Sequence, residues 1–268
     1  MILSRLRLFC RPILTETESD FDMKYTSQKI FDFCKENIIE CSEEQAFNFD
    51  TLYEMLVAFN SHTNVTALKT EEDICSKHFI DSLYPLKYNL ISDGAKVIDI
   101  GCGAGFPGLP LKMLKNDIDI SFVDSTEKKL RFTSSVSERF GIDAKVYPAR
   151  AEELVAKGNR EKYDVCVSRA VASLQILCEL CLPYVKKDGI FIAYKSMKEC
   201  DESNPESELF KAKKAIPMLG GKVEKLYSAP VEESDGTVSE HALLVIRKVK
   251  NTPEIYPRRY AAMLKKPL

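Results

Sequence analysis

From residue 96 onward, short apolar runs alternate with stretches in which apolar residues return every three or four positions. The runs cover 96–100, 118–124, 144–147, 163–167 and 189–194 and read as strands. The spaced patterns over 108–115, 127–140, 150–157 and 173–185 read as helices. Strand and helix in alternation predict βαβ units and a parallel sheet. The last third breaks this rhythm. Residues 222–229 and 242–248 read as strands joined by the turn-rich link Glu232-Glu233-Ser234-Asp235-Gly236. No helix fits between them, so they are expected to pair antiparallel. Before residue 96 the pattern is helical. Phe31, Cys34, Ile38 and Ile39 return at helical spacing, as do Leu52, Met55, Leu56 and Phe59 after an expected cap at Asp50. A further helix is expected from Thr70 through Leu83, stopping near Pro85.

Composition narrows the class. The 268 residues are 45% hydrophobic and 29% charged, enough for a large packed core and unlike a disordered chain or a disulfide mini-scaffold. No run approaches the roughly 20 apolar residues of a membrane span. Thirty-eight basic against forty acidic residues give a net charge of -2, so nucleic-acid binding would need a local patch. Nine cysteines, an odd number lying mostly in apolar runs, read as small buried hydrophobes in a reducing cytoplasm. Cys178-x-x-Cys181 sits in an apolar helix without a partner pair and reads as packing, so no metal is expected. Residues 2–14 are interrupted by Arg5, Arg7 and Arg11, a poor secretory core, and Met23 is an alternative start. The chain thus divides into an extension (1–24), a helical segment (25–91), a sheet domain (92–250) and a basic tail (251–268).

The densest signal is the turn Asp99-Ile100-Gly101-Cys102-Gly103-Ala104-Gly105-Phe106-Pro107-Gly108, which follows the first strand and opens a helix. Glycines there let the backbone turn sharply and a ligand come close. Gly103-x-Gly105-x-x-Gly108 matches a dinucleotide fingerprint literally, with Asp124 at a suitable distance. Asp99 favours S-adenosylmethionine instead. A carboxylate at the end of the strand suits the amino group of a methionine moiety and would repel pyrophosphate. Asp124, ending the second strand, suits ribose hydroxyls. Five parallel strands followed by an antiparallel pair also make up the sheet of a class I (Rossmann-like) S-adenosylmethionine-dependent methyltransferase, an α/β fold with seven strands.

Taken in order, several segments resemble the RsmG family, also called GidB, of bacterial small-subunit ribosomal RNA guanine-N7 methyltransferases. They are Asp99 to Leu111, Phe122 to Phe132, and Ser168-Arg169-Ala170-Val171-Ala172-Ser173-Leu174, supported by Asn64-Val65-Thr66, His78-x-x-Asp81-Ser82, Arg150-Ala151-Glu152-Glu153 and Tyr194-Lys195. The resemblance implies a donor pocket lined by Gly101, Phe106, Ala151, Glu152 and Arg169, to which the residue reading adds Gly103, Gly105 and Asp124. Two positions depart from the family pattern: Ser196, where glycine is frequent, and His241, where arginine is usual.

Guanine N7 carries a lone pair and no proton, so its methylation needs no general base, only alignment and electrostatics. The chain accordingly lacks an Asn/Asp-Pro-Pro-aromatic motif after the fourth strand and has no Pro-Cys or Thr-Cys pair. Arg169, at that position, is the expected catalytic residue, able to stack on or hydrogen-bond a flipped guanine or to hold a phosphate; its structural alternative is an ion pair with a carboxylate such as Glu152. His78 and Asp81, three apart, share one helix face, either at the substrate mouth or as a packing pair. Basic residues gather at Lys128, Lys129 and Arg131, and again at Arg247, Lys248, Lys250, Arg258, Arg259, Lys265 and Lys266, where Tyr256 and Tyr260 interleave. These patches fit the small ribosomal subunit or its RNA as partner. The expected protein is a cytoplasmic monomer. A methyltransferase of small molecules, a dinucleotide-dependent oxidoreductase and a catalytically silent assembly factor stay open as alternatives.

Overall fold

A computed structural model describes residues 23–268 of the chain; the expected extension lies outside the described residues except for its last two. Helix α1 (Tyr25–Glu36) packs on α2 (Glu43–Thr63). Ser42 starts α2 through a capping box: its hydroxyl accepts from Gln45 N–H, and the Gln45 side chain accepts from Ser42 N–H. Asp50, expected as the cap, is therefore inside the helix and buried. It caps the neighbour instead, its Oδ1 accepting from Ser27 N–H at 2.9 Å in the first turn of α1. Ile38 leaves the helical pattern as well: its φ is 57° and it is 96% exposed, in the turn after α1.

The next rod begins at Thr70, whose hydroxyl accepts from Asp73 N–H. It comprises α3 (Glu71–Ile74), a π-helical stretch (Cys75–Ile80) and α4 (Asp81–Lys87). The rod ends two residues past Pro85, at Lys87, close to the expected stop, with Pro85 buried inside its last stretch.

The sheet domain runs β1 (Lys96–Ile100), α5 (Gly108–Leu114), β2 (Asp119–Asp124), α6 (Glu127–Arg139), β3 (Ala144–Pro148), α7 (Ala151–Leu154), β4 (Tyr163–Arg169), α8 (Leu174–Cys181), β5 (Val185–Ser196), α9 (Glu208–Ala212), α10 (Ala215–Met218), β6 (Gly221–Glu232), β7 (Val238–Lys248) and α11 (Tyr260–Lys265). The strand order is β3-β2-β1-β4-β5-β7-β6. The first five strands are parallel, and β7 runs antiparallel to both β5 and β6. This is the expected seven-stranded, mostly parallel sheet.

Alternate strand residues feed two cores, as a sheet covered on both faces requires. Val97, Val165, Val167 and Ile192 meet Phe49, Phe79, Leu109 and Phe132 on one face. Ile98, Cys166 and Phe191 meet Leu177, Cys181, Ile216 and Met263 on the other. Cys178 and Cys181 are fully buried there. Among the described residues no His/Cys/Asp/Glu group could hold a metal ion, and no helix is long and apolar enough to cross a membrane. The strand order reverses between β1 and β4, so the loops after them diverge and leave a crevice at their carboxyl ends.

Candidate active site

A cavity of about 300 Å³ fills that crevice. Its floor and walls come from the ends of four strands: Ile100 and Gly101 after β1, Val123 and Asp124 after β2, Ala149 to Glu152 after β3, and Ala170 and Val171 after β4. Four of the expected donor-binding residues, Gly101, Asp124, Ala151 and Glu152, line it.

Gly101 has a φ of 70° and donates its N–H to the Val123 carbonyl at 2.7 Å. A Cβ at this position would overlap Val171, so only glycine lets the β4–α8 loop close over the turn. Asp124 holds the turn to the end of β2. Its Oδ2 accepts from Gly103 N–H at 2.9 Å and its Oδ1 from Thr126 N–H at 2.7 Å. Each oxygen keeps a further acceptor site for a ligand hydroxyl. Gly103 thus acts through Asp124. Gly105, at φ 86°, shapes the turn behind the cavity, where a Cβ would overlap Leu109. The Glu152 carboxylate has no hydrogen-bond or ion-pair partner among the described residues. Lys129, Arg150 and Tyr260 complete the wall, the Arg150 guanidinium lying 5.5 Å over the Tyr260 ring.

Phe106 and Arg169 do not line this cavity; they face the other side of the sheet. Arg169 follows Val165 and Val167 onto the face covered by the N-terminal helices, as strand alternation dictates. It donates to Asp81 Oδ2 at 2.6 Å and to the Lys77 carbonyl at 2.9 Å. The ion-pair partner is therefore Asp81, not Glu152. Asp81 also holds His241, Nδ1 to Oδ1 at 3.1 Å. Phe106 stacks on His78 with ring centroids 4.7 Å apart and planes within 4°. His78 Nε2 bonds Thr66 Oγ1 at 2.8 Å. His78 and Asp81 thus share one helix face and converge on Arg169.

Burial, with Arg169 beside it, pushes His78 down to about 3, so its ring is neutral. Burial alone would push Asp81 up, but His241 and Arg169 outweigh it and hold the carboxylate below its ordinary value. Asp81 in turn raises His241. Ser196 stands directly opposite His241 across the β5–β7 ladder and caps the turn Met197–Cys200, with Glu199 closing its capping box.

Asp99, expected to face the ligand crevice, is fully buried on this same side of the sheet. One oxygen accepts from Gly108 N–H at 2.8 Å; the other, Oδ1, has no partner. Burial pushes Asp99 up to about 7 against the pull of Gly108 N–H and Arg169.

The basic residues divide in two. Lys248 is fully buried against Glu161 at 3.2 Å, Arg258 grips the buried Glu179 at 2.6 Å, and Arg247 pairs with Glu224. Lys128, Arg131, Lys250, Arg259, Lys265 and Lys266 remain exposed. Residues 249–268 form a strap across the second core and bring Tyr260 to the cavity. Sequence reasoning named Tyr260 only as an aromatic in a basic tail; nothing in the pattern ties it to strands more than 90 residues earlier.

Comparison with known proteins gives the family context. The rRNA small subunit methyltransferase G (GidB) family matches residues 45–226, more than half of the chain. A ribosomal RNA small subunit methyltransferase G from Clostridium novyi (strain NT) is 40% identical over 249 residues, covering 90% of this chain and 99% of the relative. Its counterpart from Listeria monocytogenes serotype 4b (strain F2365) is 40% identical over 234 residues, covering 86% and 94%. Among solved structures, one from work on the conversion of a disulfide bond into a thioacetal group during echinomycin biosynthesis superposes with a TM-score of 0.53 at 15% identity, over 80% of this chain and 99% of the other. P. horikoshii TYW2 in complex with MeSAdo superposes with a TM-score of 0.50 at 14% identity, over 67% and 64%. At such identities these two likenesses speak for the fold alone.

Proposed function

The chain belongs to the rRNA small subunit methyltransferase G family, and from that premise we propose that it transfers the methyl group of S-adenosylmethionine to N7 of a guanine in small-subunit (16S) ribosomal RNA. The observation that carries this reading is the cavity at the strand-order reversal. There Asp124 keeps free acceptor sites and Glu152 presents an unpaired carboxylate beside a glycine turn. These groups fit an S-adenosyl donor: Asp124 for the ribose hydroxyls, Ala151 and Glu152 for the base, and the Gly101 backbone for close approach.

The donor supplies an electrophilic methyl on a sulfonium. The protein's part is to hold that methyl in line with a lone pair that needs no deprotonation, and to keep the base still. Arg169 fits the base side of this task. Asp81 and the Lys77 carbonyl fix its guanidinium, while Phe106 and Tyr194 each lie 5.9 Å from it. A fixed guanidinium can stack on a guanine or donate to its O6 edge. Residues 92–250 form the transferase unit in this reading, and 25–91 form a helical cover on it. The protein acts as a monomer in the cytoplasm, where its ribosomal substrate is.

The test uses tritiated S-adenosylmethionine, the purified protein, and small ribosomal subunits from a strain lacking the enzyme. Label recovered in 7-methylguanosine after digestion is the expected result. Label in another nucleoside overturns the base assignment. Absence of label from both subunits and their naked RNA overturns the substrate.

A further inference from the structure

The strap is the part of the cavity least foreseen from the sequence. It is pinned at several points. Thr252 donates its N–H to the Glu161 carboxylate, the Arg160 guanidinium donates to the carbonyls of Thr252 and Tyr256, and Arg258 pairs with Glu179. Beyond these anchors Met263 is fully buried in the second core. A chain segment held this way delivers one aromatic ring, Tyr260, to the cavity wall. The ring is half-buried and leaned on by Arg150.

Position along the cavity assigns the ring a ligand. Strand order places the end of β1 beside β2, and β2 beside β3. The cavity therefore runs from Gly101 and Val171, past Asp124, to the segment Ala149 to Glu152 after β3. On the reading above, the sugar of the donor sits at Asp124. Its amino-acid end then lies toward the glycine turn and its adenine toward β3. Arg150 comes from the β3 end, and Tyr260 packs against Arg150. Aromatic faces stack on bases whatever the base, and a guanidinium against the ring adds to the stack.

We propose that Tyr260 is a donor-binding residue that stacks on the adenine of S-adenosylmethionine, so that the C-terminal strap completes the donor site. This rests on the donor assignment made above and adds to it a residue beyond the 45–226 family match.

Calorimetric titration with S-adenosylhomocysteine and with methylthioadenosine, which has base and sugar but no amino acid, tests it. Tyr260→Phe binds both ligands within about twofold of the native chain, because stacking does not use the hydroxyl. Tyr260→Leu, which keeps apolar bulk and so guards the fold, weakens both ligands by the same factor, about tenfold. Equal affinity of Tyr260→Leu and the native chain overturns the proposal, as does a loss confined to S-adenosylhomocysteine, which would put the ring at the amino-acid end. A native chain that binds neither ligand overturns the donor assignment itself. A native chain that binds both, with Tyr260→Leu unaltered, overturns only the role of Tyr260. Melting of the ligand-free variants provides the structural readout: a midpoint within about 2 °C of native, together with the affinity loss, assigns that loss to the missing ring contact.

Discussion

The two faces of the sheet handle charge in opposite ways at their carboxyl edge. Above β1 to β3, Asp124 and Glu152 stand at an open cavity with acceptor capacity to spare. On the opposite face, Asp81 is buried and fully committed, one oxygen to Arg169 and one to His241. The first arrangement costs little to maintain and waits for a ligand. The second is an internal scaffold in which each charge exists because the next is there. Removing a carboxylate therefore has a different meaning on each face, and the same substitution chemistry can tell the faces apart.

The largest effect is expected from Asp81→Ala. It leaves the Arg169 guanidinium without its counter-ion in a buried setting and should lower stability by about 3–5 kcal/mol, read from urea unfolding. A loss below about 1 kcal/mol would mean that the cluster is solvated and that the contrast between the faces is wrong. Glu152→Gln is the opposite case. It should leave the unfolding midpoint unchanged while weakening S-adenosylhomocysteine about tenfold, roughly 1.4 kcal/mol by calorimetry. A destabilised variant with native affinity would move Glu152 from the ligand to the scaffold.

The smallest net change is expected in the pH dependence of the native chain's stability, where two groups of the buried face oppose and largely cancel each other. His78 has a folded value lowered from 6.5 to about 3, so its contribution is complete above pH 6.5 and is lost as pH falls toward 3. Asp99 has a folded value raised from 3.8 to about 7, so its contribution is complete below pH 3.8 and is lost as pH rises through 7. Unfolding midpoints measured from pH 4 to 8 should therefore fall less steeply toward acid in His78→Gln. In Asp99→Asn they should fall less steeply toward neutrality. Parallel curves for both variants and the native chain would show that neither group is as desolvated as its burial implies.

The sheet was legible because its signal is local. Apolar runs such as 96–100 and the glycine turn after them need no distant partner to be recognised. Asp124 was legible for the same reason, standing at a strand end where this topology opens its crevice; Gly101, Ala151 and Glu152 came only from the family resemblance, and all four line the cavity. What the chain hides is pairing across distance. Arg169 stood out as a candidate, but its partner lies 88 residues earlier on a helix whose π-helical stretch no periodicity announces. Asp50 looked like a cap and is one, for the wrong helix, because the Ser42–Gln45 box had already started its own. Asp99 was read from its place at the end of a strand; strand alternation then turned it into the core.

The ladder between β5 and β7 sets Ser196 and His241 on the same rung. The two positions are 45 residues apart in sequence. As cross-strand neighbours they form one unit of packing: whatever occupies one alters the room and polarity offered to the other. A substitution at one of them alone is felt at the other, and through His241 at the carboxylate that holds Arg169.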